Sequence, residues 1–398
     1  MTDGTNRHNS RNSNRPELEF VLACGSALVN PEANERMRQS IRKGVKWPEV
    51  GAIAEYHRLS TIVYEIAESA AHDLVPAEQL KAMRQTAKPT IASGMVLLRE
   101  LLRLQKLFEE AGLLVIPYKG PLLAQIAYGS FVRREYSDLD FVVEQKFIPD
   151  VVALLRASGC TPQFDAREVH TGQNESAPGQ YSFLSGPQKI LVEIHTERTL
   201  RYFPTAIDFQ SLTGRLMTVE IGEQSIRTFS VEDTMVMLCV HGAKHFWERL
   251  SWVLDIAKLA SAQEINWELV AEIAAKMEST RVLLLGLYLA QDLFEAPLPE
   301  RLAQEISREP AVRLLAEKVC EQYANISQPS GGVLHRAAFR IRSRDGIVQG
   351  IRHTLRLALS PTESDRKTIH LPRWLSPLYA LVRPLRLLRE YGAGFKRR

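Results

Sequence analysis

Asp138 and Asp140, in the stretch Tyr136-Ser-Asp-Leu-Asp-Phe-Val-Val143, stand two residues apart where a polar segment gives way to an apolar one. On a strand the side chains alternate between faces, so both carboxylates point one way while Leu139 and Phe141 point the other. Two like charges within a few ångströms repel, and a cation held between them relieves the repulsion. A hard divalent ion suits that position. Mg2+ takes one or two carboxylates together with phosphate oxygens and water, and Mn2+ accepts similar donors. A third carboxylate, Glu193, occurs in Lys189-Ile-Leu-Val-Glu-Ile-His195, with His195 two residues on and hence on the same strand face. Were the two strands adjacent, three acids around two ions about 4 Å apart would support in-line attack on a nucleotide phosphorus and departure of pyrophosphate. The competing interpretation of the Asp138/Asp140 pair is a solvated or capping strand edge.

The segment upstream supplies groups for an anion. Leu113-Leu-Val-Ile-Pro117 reads as a short strand, Tyr118-Lys119-Gly120-Pro121 as a turn, and Pro121 to Tyr128 as a helix with proline in its first turn. The N-terminus of such a helix holds anions, which makes Lys119 and Gly120 candidates for a phosphate grip. Arg133 and Arg134, in the polar loop before the acids, are candidates for a bidentate clamp on a triphosphate, although loop arginines are ordinary surface residues too. His241 and His245 share a helix face at the spacing of a zinc pair, but Gly242 stands where the glutamate of HExxH would be, and no third ligand is evident.

Around these motifs the chain of 398 residues, 45% hydrophobic, divides by pattern. Residues 1–17 are polar and of disordered type. Residues 18–111 read as a helical N-terminal region in which Trp47 opens one helix, Ala52 to Ala71 continues helically, and Gly94 to Gly112 is amphipathic. Residues 112–230 hold a small α/β core: the first strand and helix, a second strand at Leu139–Val143, a helix from Ile148 to Ser158, and a hairpin of Tyr181–Leu184 with Lys189–His195. Beyond Phe203 the pattern is mainly helical. Residues 231–327 form a helical C-terminal domain with helices at Asp233–Phe246, Trp252–Ala262, Trp267–Lys276 and Arg281–Leu293. Residues 328–398 are a linker and a basic tail in which Pro377 and Pro384 interrupt any long helix. The fold class expected is α+β: a small mixed β-sheet core flanked by N-terminal and C-terminal helical regions.

Composition narrows the function classes. No apolar run approaches the roughly 18 to 20 residues of a membrane-spanning helix, and four widely spaced cysteines in a chain of this size suggest reduced thiols in a cytoplasm. The net charge of +4 conceals an asymmetry. Residues 336–398 carry 15 Lys plus Arg against 4 Asp plus Glu, a surplus of 11, which leaves the preceding 335 residues at −7. Such a tail could meet phosphates, an acidic partner or an anionic membrane surface, or dock on the protein's own acidic body. There is no GxxxxGK[ST] loop, no GxGxxG after a strand, no GxSxG elbow, and no kinase HRD or DFG set.

Taken together, Tyr118-Lys119-Gly120 with Leu123, Tyr128 and Arg133, then Ser137-Asp138-Leu139-Asp140, then Glu193-Ile194-His195, resemble the polymerase-β-like nucleotidyltransferase superfamily, in its branch of uncharacterised nucleotidyltransferases. His241-Gly242 with His245, Trp247, Leu250, Trp252 and Asp255 add to the resemblance, as do Trp47 and Glu55-Tyr56-His57-Arg58-Leu59. It covers most of the chain from about Trp47 onward. The resemblance implies Mg2+-dependent transfer of a nucleoside monophosphate from an NTP such as ATP to a hydroxyl or similar acceptor. Asp138, Asp140 and Glu193 would be the catalytic acids and metal ligands. Lys119, Gly120, Arg133, Ser137, His195, His241, Lys244 and His245 would contact the nucleotide. The superfamily usually has Gly-Ser where this chain reads Lys119-Gly120; a Gly129-Ser130 pair lies nearer the acids. The acceptor implied by association is a small molecule, peptide or glycan precursor of bacterial biosynthesis. The alternative is a catalytically degenerate nucleotide-binding or adaptor protein of a biosynthetic complex. Action on RNA is disfavoured by the acidic body and by the lack of interleaved aromatic and basic residues, so no stable nucleic-acid partner is expected.

Overall fold

The computed structural model describes residues 15–164, 179–196, 208–324, 333–359 and 378–391, together with Ile369 and Leu375. The polar leader up to residue 14, the expected linker at 328–332 and Pro377 lie outside these residues. Five helices come first: α1 (Pro16–Ala27), α2 (Ala33–Arg42), α3 (Trp47–Tyr56), α4 (Ser60–Ala70) and α5 (Ala77–Glu110). The helical stretch expected from Ala52 to Ala71 is broken at His57-Arg58-Leu59, where Arg58 adopts a left-handed φ of 57°. The amphipathic stretch from Gly94 is the second half of the 34-residue α5, which continues through Pro89 at the loss of one backbone hydrogen bond.

The α/β core follows. It comprises β1 (Ile116–Pro117), α6 (Gly120–Tyr128), β2 (Asp138–Val142), α7 (Ile148–Ala157), β3 (Thr161–Pro162), β4 (Gln180–Ser185) and β5 (Ile190–His195). The expected five-residue first strand is only two residues long, since Pro117 has no amide to extend the ladder. The five strands form one mixed sheet in the order β1-β2-β5-β4-β3. Only β2 and β5 are parallel; the other neighbours are antiparallel.

Alternation along the strands gives the sheet a dry back and a polar front. Leu139 and Phe141 of β2, Val192 and Ile194 of β5 and Phe183 of β4 pack against Leu97, Leu101, Leu104 and Phe108 of α5 and Val151, Val152 and Leu155 of α7. The residues between them, Asp138, Asp140, Glu193 and His195, therefore face the other way.

A short helix α8 (Phe209–Thr213) leads to a hairpin of β6 (Met217–Ile221) and β7 (Gln224–Thr228), where helical structure was anticipated. The period-2 pattern Met217, Val219, Ile221 and the turn at Gly222, φ 62°, account for it. Thr228 Oγ1 donates to the Pro117 carbonyl at 2.7 Å, which straps this hairpin to the edge strand β1.

Among the described residues, the remaining helices are α9 (Val231–Lys244), α10 (Leu250–Ala262), α11 (Trp267–Lys276), α12 (Thr280–Phe294), α13 (Glu300–Arg308), α14 (Pro310–Ala324), α15 (Val333–Arg342), α16 (Ile347–Leu359) and α17 (Tyr379–Tyr391). The described part of the basic tail is mostly helical, and Pro384 lies inside α17 without ending it. A second apolar core joins the N-terminal helices to α9, α10, α12 and α14. The fold is α+β, mostly helical, with a mixed sheet between helical flanks.

One buried side chain fixes the α3–α4 turn against this second core. His57 Nδ1 accepts the Leu250 amide at 3.2 Å, and the His57 carbonyl accepts the Ser251 amide at 3.3 Å. Burial, and then the nearby Arg249 charge, push the imidazole down to about 3. The unfolded chain binds this proton below about pH 6.5 and the folded chain does not, so His57 removes stability as pH falls from 6.5 towards 3. His57→Asn keeps an acceptor near the Nδ1 position and has no such proton. The melting temperature of the variant is expected to fall less steeply than that of the parent across this window. Parallel curves would show that His57 does not titrate on unfolding.

Candidate active site

The acids meet because β2 and β5 pair in parallel with Asp140 directly opposite Glu193. Asp138 lies opposite Leu191 and His195 opposite Val142 in the same register. His195 Nε2 lies 2.8 Å from Asp140 Oδ1 and 3.5 Å from Glu193 Oε2. One ligand atom each from Asp140, Glu193 and His195 fall within 4.8 Å of one another.

Lys119 approaches from the other side. Its ammonium lies 3.5 Å from Asp140 Oδ2 and donates towards His241 Nδ1 at 3.4 Å. Gly120 makes this approach possible: it has φ 53°, and a β-carbon there would sit 3.3 Å from the Asp138 carbonyl oxygen. A larger residue would be strained in conformation and pressed onto β2.

The opposing wall comes from α9 and α10. His241, Lys244 and His245 occupy the last turn of α9 and the residue after it. The two imidazole rings lie 4.8 Å apart, and both pack on Trp252 at 5.2 Å. Gly242 leaves room for Trp247, whose ring would come within 2.3 Å of a β-carbon there. The indole itself is fully buried, so Trp247 shapes the helix end from within. Between the walls is a cleft of about 460 Å3, with Arg58, Arg134 and Arg249 also in its lining.

Burial would raise the Asp140 carboxyl, but the Lys119 ammonium, and then the hydrogen bond from His195, hold it far below the usual carboxylate range. The Asp138 carboxyl is raised, by burial first and by Asp140 second. Burial works against the His195 imidazolium too, yet its bonds to Asp140 and Glu193 raise it above its ordinary value. The His241 imidazole is held well below its ordinary value by burial and by Lys119; it is neutral, with the Nδ1 lone pair turned to the lysine. Burial and Lys119 also bring the Lys244 ammonium down to about 8. A divalent cation fits this donor set: oxygen atoms of Asp140 and Glu193 with a histidine nitrogen beside them, and a further carboxylate, Asp138, whose ionisation is penalised by its neighbour.

Of the residues singled out in the sequence, Asp138, Asp140, Glu193, Lys119, Gly120, Ser137, His195, His241, Lys244 and His245 all line the cleft. Arg133 is not among the lining residues. Its guanidinium is bound by Glu65 of α4, with Nε 3.0 and 2.9 Å from the two carboxylate oxygens. The next residue, Arg134, turns inward instead. It donates through Nε to both oxygens of the fully buried Asp255, at 2.9 and 3.0 Å, and Tyr128 Oη donates to the same carboxylate at 2.9 Å. Arg249, Glu248 and Gln180 also line the cleft and were not anticipated. Arg249 stands at the N-cap of α10, its guanidinium stacked over the Tyr56 ring at 4.2 Å.

Residues 43–295 match the model of a family described as uncharacterised nucleotidyltransferase, and the chain belongs to that family. No curated protein matches the chain.

The Tyr128–Asp255–Arg134 cluster ties α6, the loop before β2 and α10 together, so its loss should be felt as stability. Asp255→Ala leaves the Arg134 guanidinium buried without its carboxylate and is expected to cost about 3–5 kcal/mol in denaturant unfolding. Adding Arg134→Met to that variant removes the lone charge and should recover part of the loss. A double variant no more stable than Asp255→Ala would mean that the charge pair is not what holds these elements.

Proposed function

We propose that this member of the uncharacterised nucleotidyltransferase family moves a nucleoside monophosphate from an NTP to a hydroxyl or similar group of a small-molecule, peptide or glycan acceptor in the cytoplasm. The observation that carries the reading is the parallel register that sets Asp140 opposite Glu193 on the polar face of the sheet, with Asp138 two residues away and all three in one cleft. Asp138, Asp140 and Glu193 would hold Mg2+, or Mn2+, in this arrangement. When bound, such ions neutralise phosphate charge and lower the pKa of the attacking hydroxyl.

The chain's own groups supply the rest. Lys119 and the start of α6 meet the triphosphate, the ammonium as a charge and the helix N-terminus through its amides. Arg134, fixed by Asp255, keeps its charge at the rim of the acids. His195 orients Asp140 through their 2.8 Å hydrogen bond. Glu193 accepts the proton of the acceptor group as its oxygen bonds to the α-phosphorus. The bond from that phosphorus to the bridging oxygen breaks, and pyrophosphate leaves with Arg58 and Arg249 of the cleft lining to receive its charge. Trp252, His241 and His245 form a wall on which a base or acceptor ring can pack.

A second reading rests on the ion pair of Lys119 with Asp140, 3.5 Å apart. The protein's own cation stands beside a metal-binding carboxylate, as in a protein that only binds nucleotide.

Pyrophosphate release from labelled NTP, with Mg2+ or Mn2+ and fractionated small molecules, peptides or glycans as acceptors, separates the two. The parent protein is expected to release pyrophosphate. Asp140→Asn and Glu193→Gln should each lose more than about a hundredfold, beyond what supporting residues around a metal usually cost. NTP binding by the parent with no release under any of these conditions would leave the nucleotide-binding reading, and full turnover by Asp140→Asn would end the enzymatic one.

A further inference from the structure

The C-terminal helices leave an apolar face in solvent. Among the described residues, nine of the twelve exposed large hydrophobic side chains lie between Ile347 and Leu385, although this is the most basic part of the chain. Ile347, Ile351, Leu355 and Leu359 recur about once per turn, with Val348 beside the first of them, along a single side of α16. Their exposure is high for aliphatic residues, 71% at Ile347, 80% at Val348 and 55% at Leu355. On α17, which packs beside α16, Leu381 and Leu385 repeat the pattern at 61% and 67%.

The orientation of α16 is fixed from its other side. Gly350, His353 and Leu357 are its buried residues. A β-carbon on Gly350 would sit 2.4 Å from the Ile341 carbonyl oxygen, so α15 and α16 touch backbone to backbone at that point. His353 Nε2 lies 3.0 Å from Arg344 Nη2 in the connecting segment. Asp345 in turn accepts the amides of Thr280 and Arg281 at 3.0 and 2.7 Å, anchoring the pair to the start of α12. The helix cannot roll its apolar side inward without breaking these contacts.

Arg352 and Arg356 are exposed and follow Ile351 and Leu355 by one residue, so they border the apolar stripe along its length. An aliphatic stripe edged by arginine matches the interfacial zone of a bilayer, with acyl chains beneath and anionic headgroups at the rim. A protein partner that covered the stripe would have to offer acids only along one edge. We propose that the exposed face of α16, extended by α17, is a peripheral docking surface for an anionic lipid bilayer. The helix lies in the plane of the interface, its leucines and isoleucines below headgroup level and its arginines on lipid phosphates.

Vesicle flotation with the full chain tests this. Binding to phosphatidylcholine vesicles containing phosphatidylglycerol is expected, and weaker binding, by about tenfold or more, to phosphatidylcholine alone. Salt should reduce the first and hardly change the second, since screening acts on the charge contribution alone. Ile351→Ser with Leu355→Ser should abolish flotation with both. Arg352→Glu with Arg356→Glu should abolish the preference for the anionic lipid. All these side chains are exposed, and a melting curve like the parent's confirms that each variant is folded. No flotation with anionic vesicles, equal binding to the two compositions, or binding unchanged in both folded variants would overturn the proposal. So would a dimer in solution that the serine pair dissociates while vesicles are ignored, which would assign the face to a second copy of the chain.

Discussion

Two carboxylates, Asp140 and Glu193, stand opposite each other on neighbouring parallel strands, with a third two residues from the first. The fold offsets that concentration of negative charge with the Lys119 ammonium and the His195 imidazole, both in contact with Asp140, the imidazole raised in proton affinity by its bonds to Asp140 and Glu193 against the effect of burial. Much else in the core follows from this requirement. Lys119 reaches the acids only because Gly120 lets the start of α6 cross β2 closely, and the edge strand β1 only has to deliver the chain to that crossing. The same two groups would have to give way to any divalent ion held by these carboxylates.

The sheet supplies one wall of the cleft and the helices the other, so the site also depends on how the two are joined. Three contacts do most of this work. The buried Asp255 of α10 draws in Arg134 from the loop before β2 and Tyr128 from α6. His57 fixes the α3–α4 turn on the first residues of α10, and Arg58 of that turn and Arg249 both line the cleft. Trp247, seated over Gly242, shapes the end of α9 where His241, Lys244 and His245 are presented. Each is a buried group whose loss would leave a cavity or an unpaired polar atom. The cleft is therefore held by the interior rather than by surface ion pairs.

What the sequence revealed, and what it hid, divides along the same line. The strand carrying Asp138 and Asp140 and the hairpin ending in Glu193 and His195 were legible because period-2 alternation and a Gly-containing turn are local signals. The carboxylates therefore fell on the correct face by arithmetic. The parallel pairing of β2 with β5 was not local: it joins residues 53 apart across a helix and two other strands. The arginines were harder still. Arg133 and Arg134 are adjacent and chemically alike, and only the positions of Glu65 and Asp255 decide which one points inward. A signal for the second existed, since Asp255 is a lone acid within the apolar run Trp252-Val-Leu-Asp-Ile-Ala257 and so had to find a buried cation. The β6–β7 hairpin was overlooked because long helical stretches on either side dominated the pattern there, although its alternation was present.

The basic C-terminal segment gains meaning from where it is attached. Composition alone left several destinations for its charge, and docking on the acidic body is partly realised. Arg336 of α15 pairs with Glu248 at 3.5 Å, and Arg336 and Arg340 both lie over the Phe246 ring. Glu248 is also a lining residue of the cleft. The first tail helix thus spends its arginines on the rim of the site, while the next turns its own outward beside a row of aliphatic side chains. Had solubility been the only constraint, the order would be reversed, with charge outside and aliphatic groups against the body. Gly350 holds the unusual orientation in place, because the close approach of α15 and α16 at that residue exists only with the small face of α16 inward. The exposed stripe is therefore a consequence of specific packing, and it sits on a helix pair that reaches back to the cleft through Glu248.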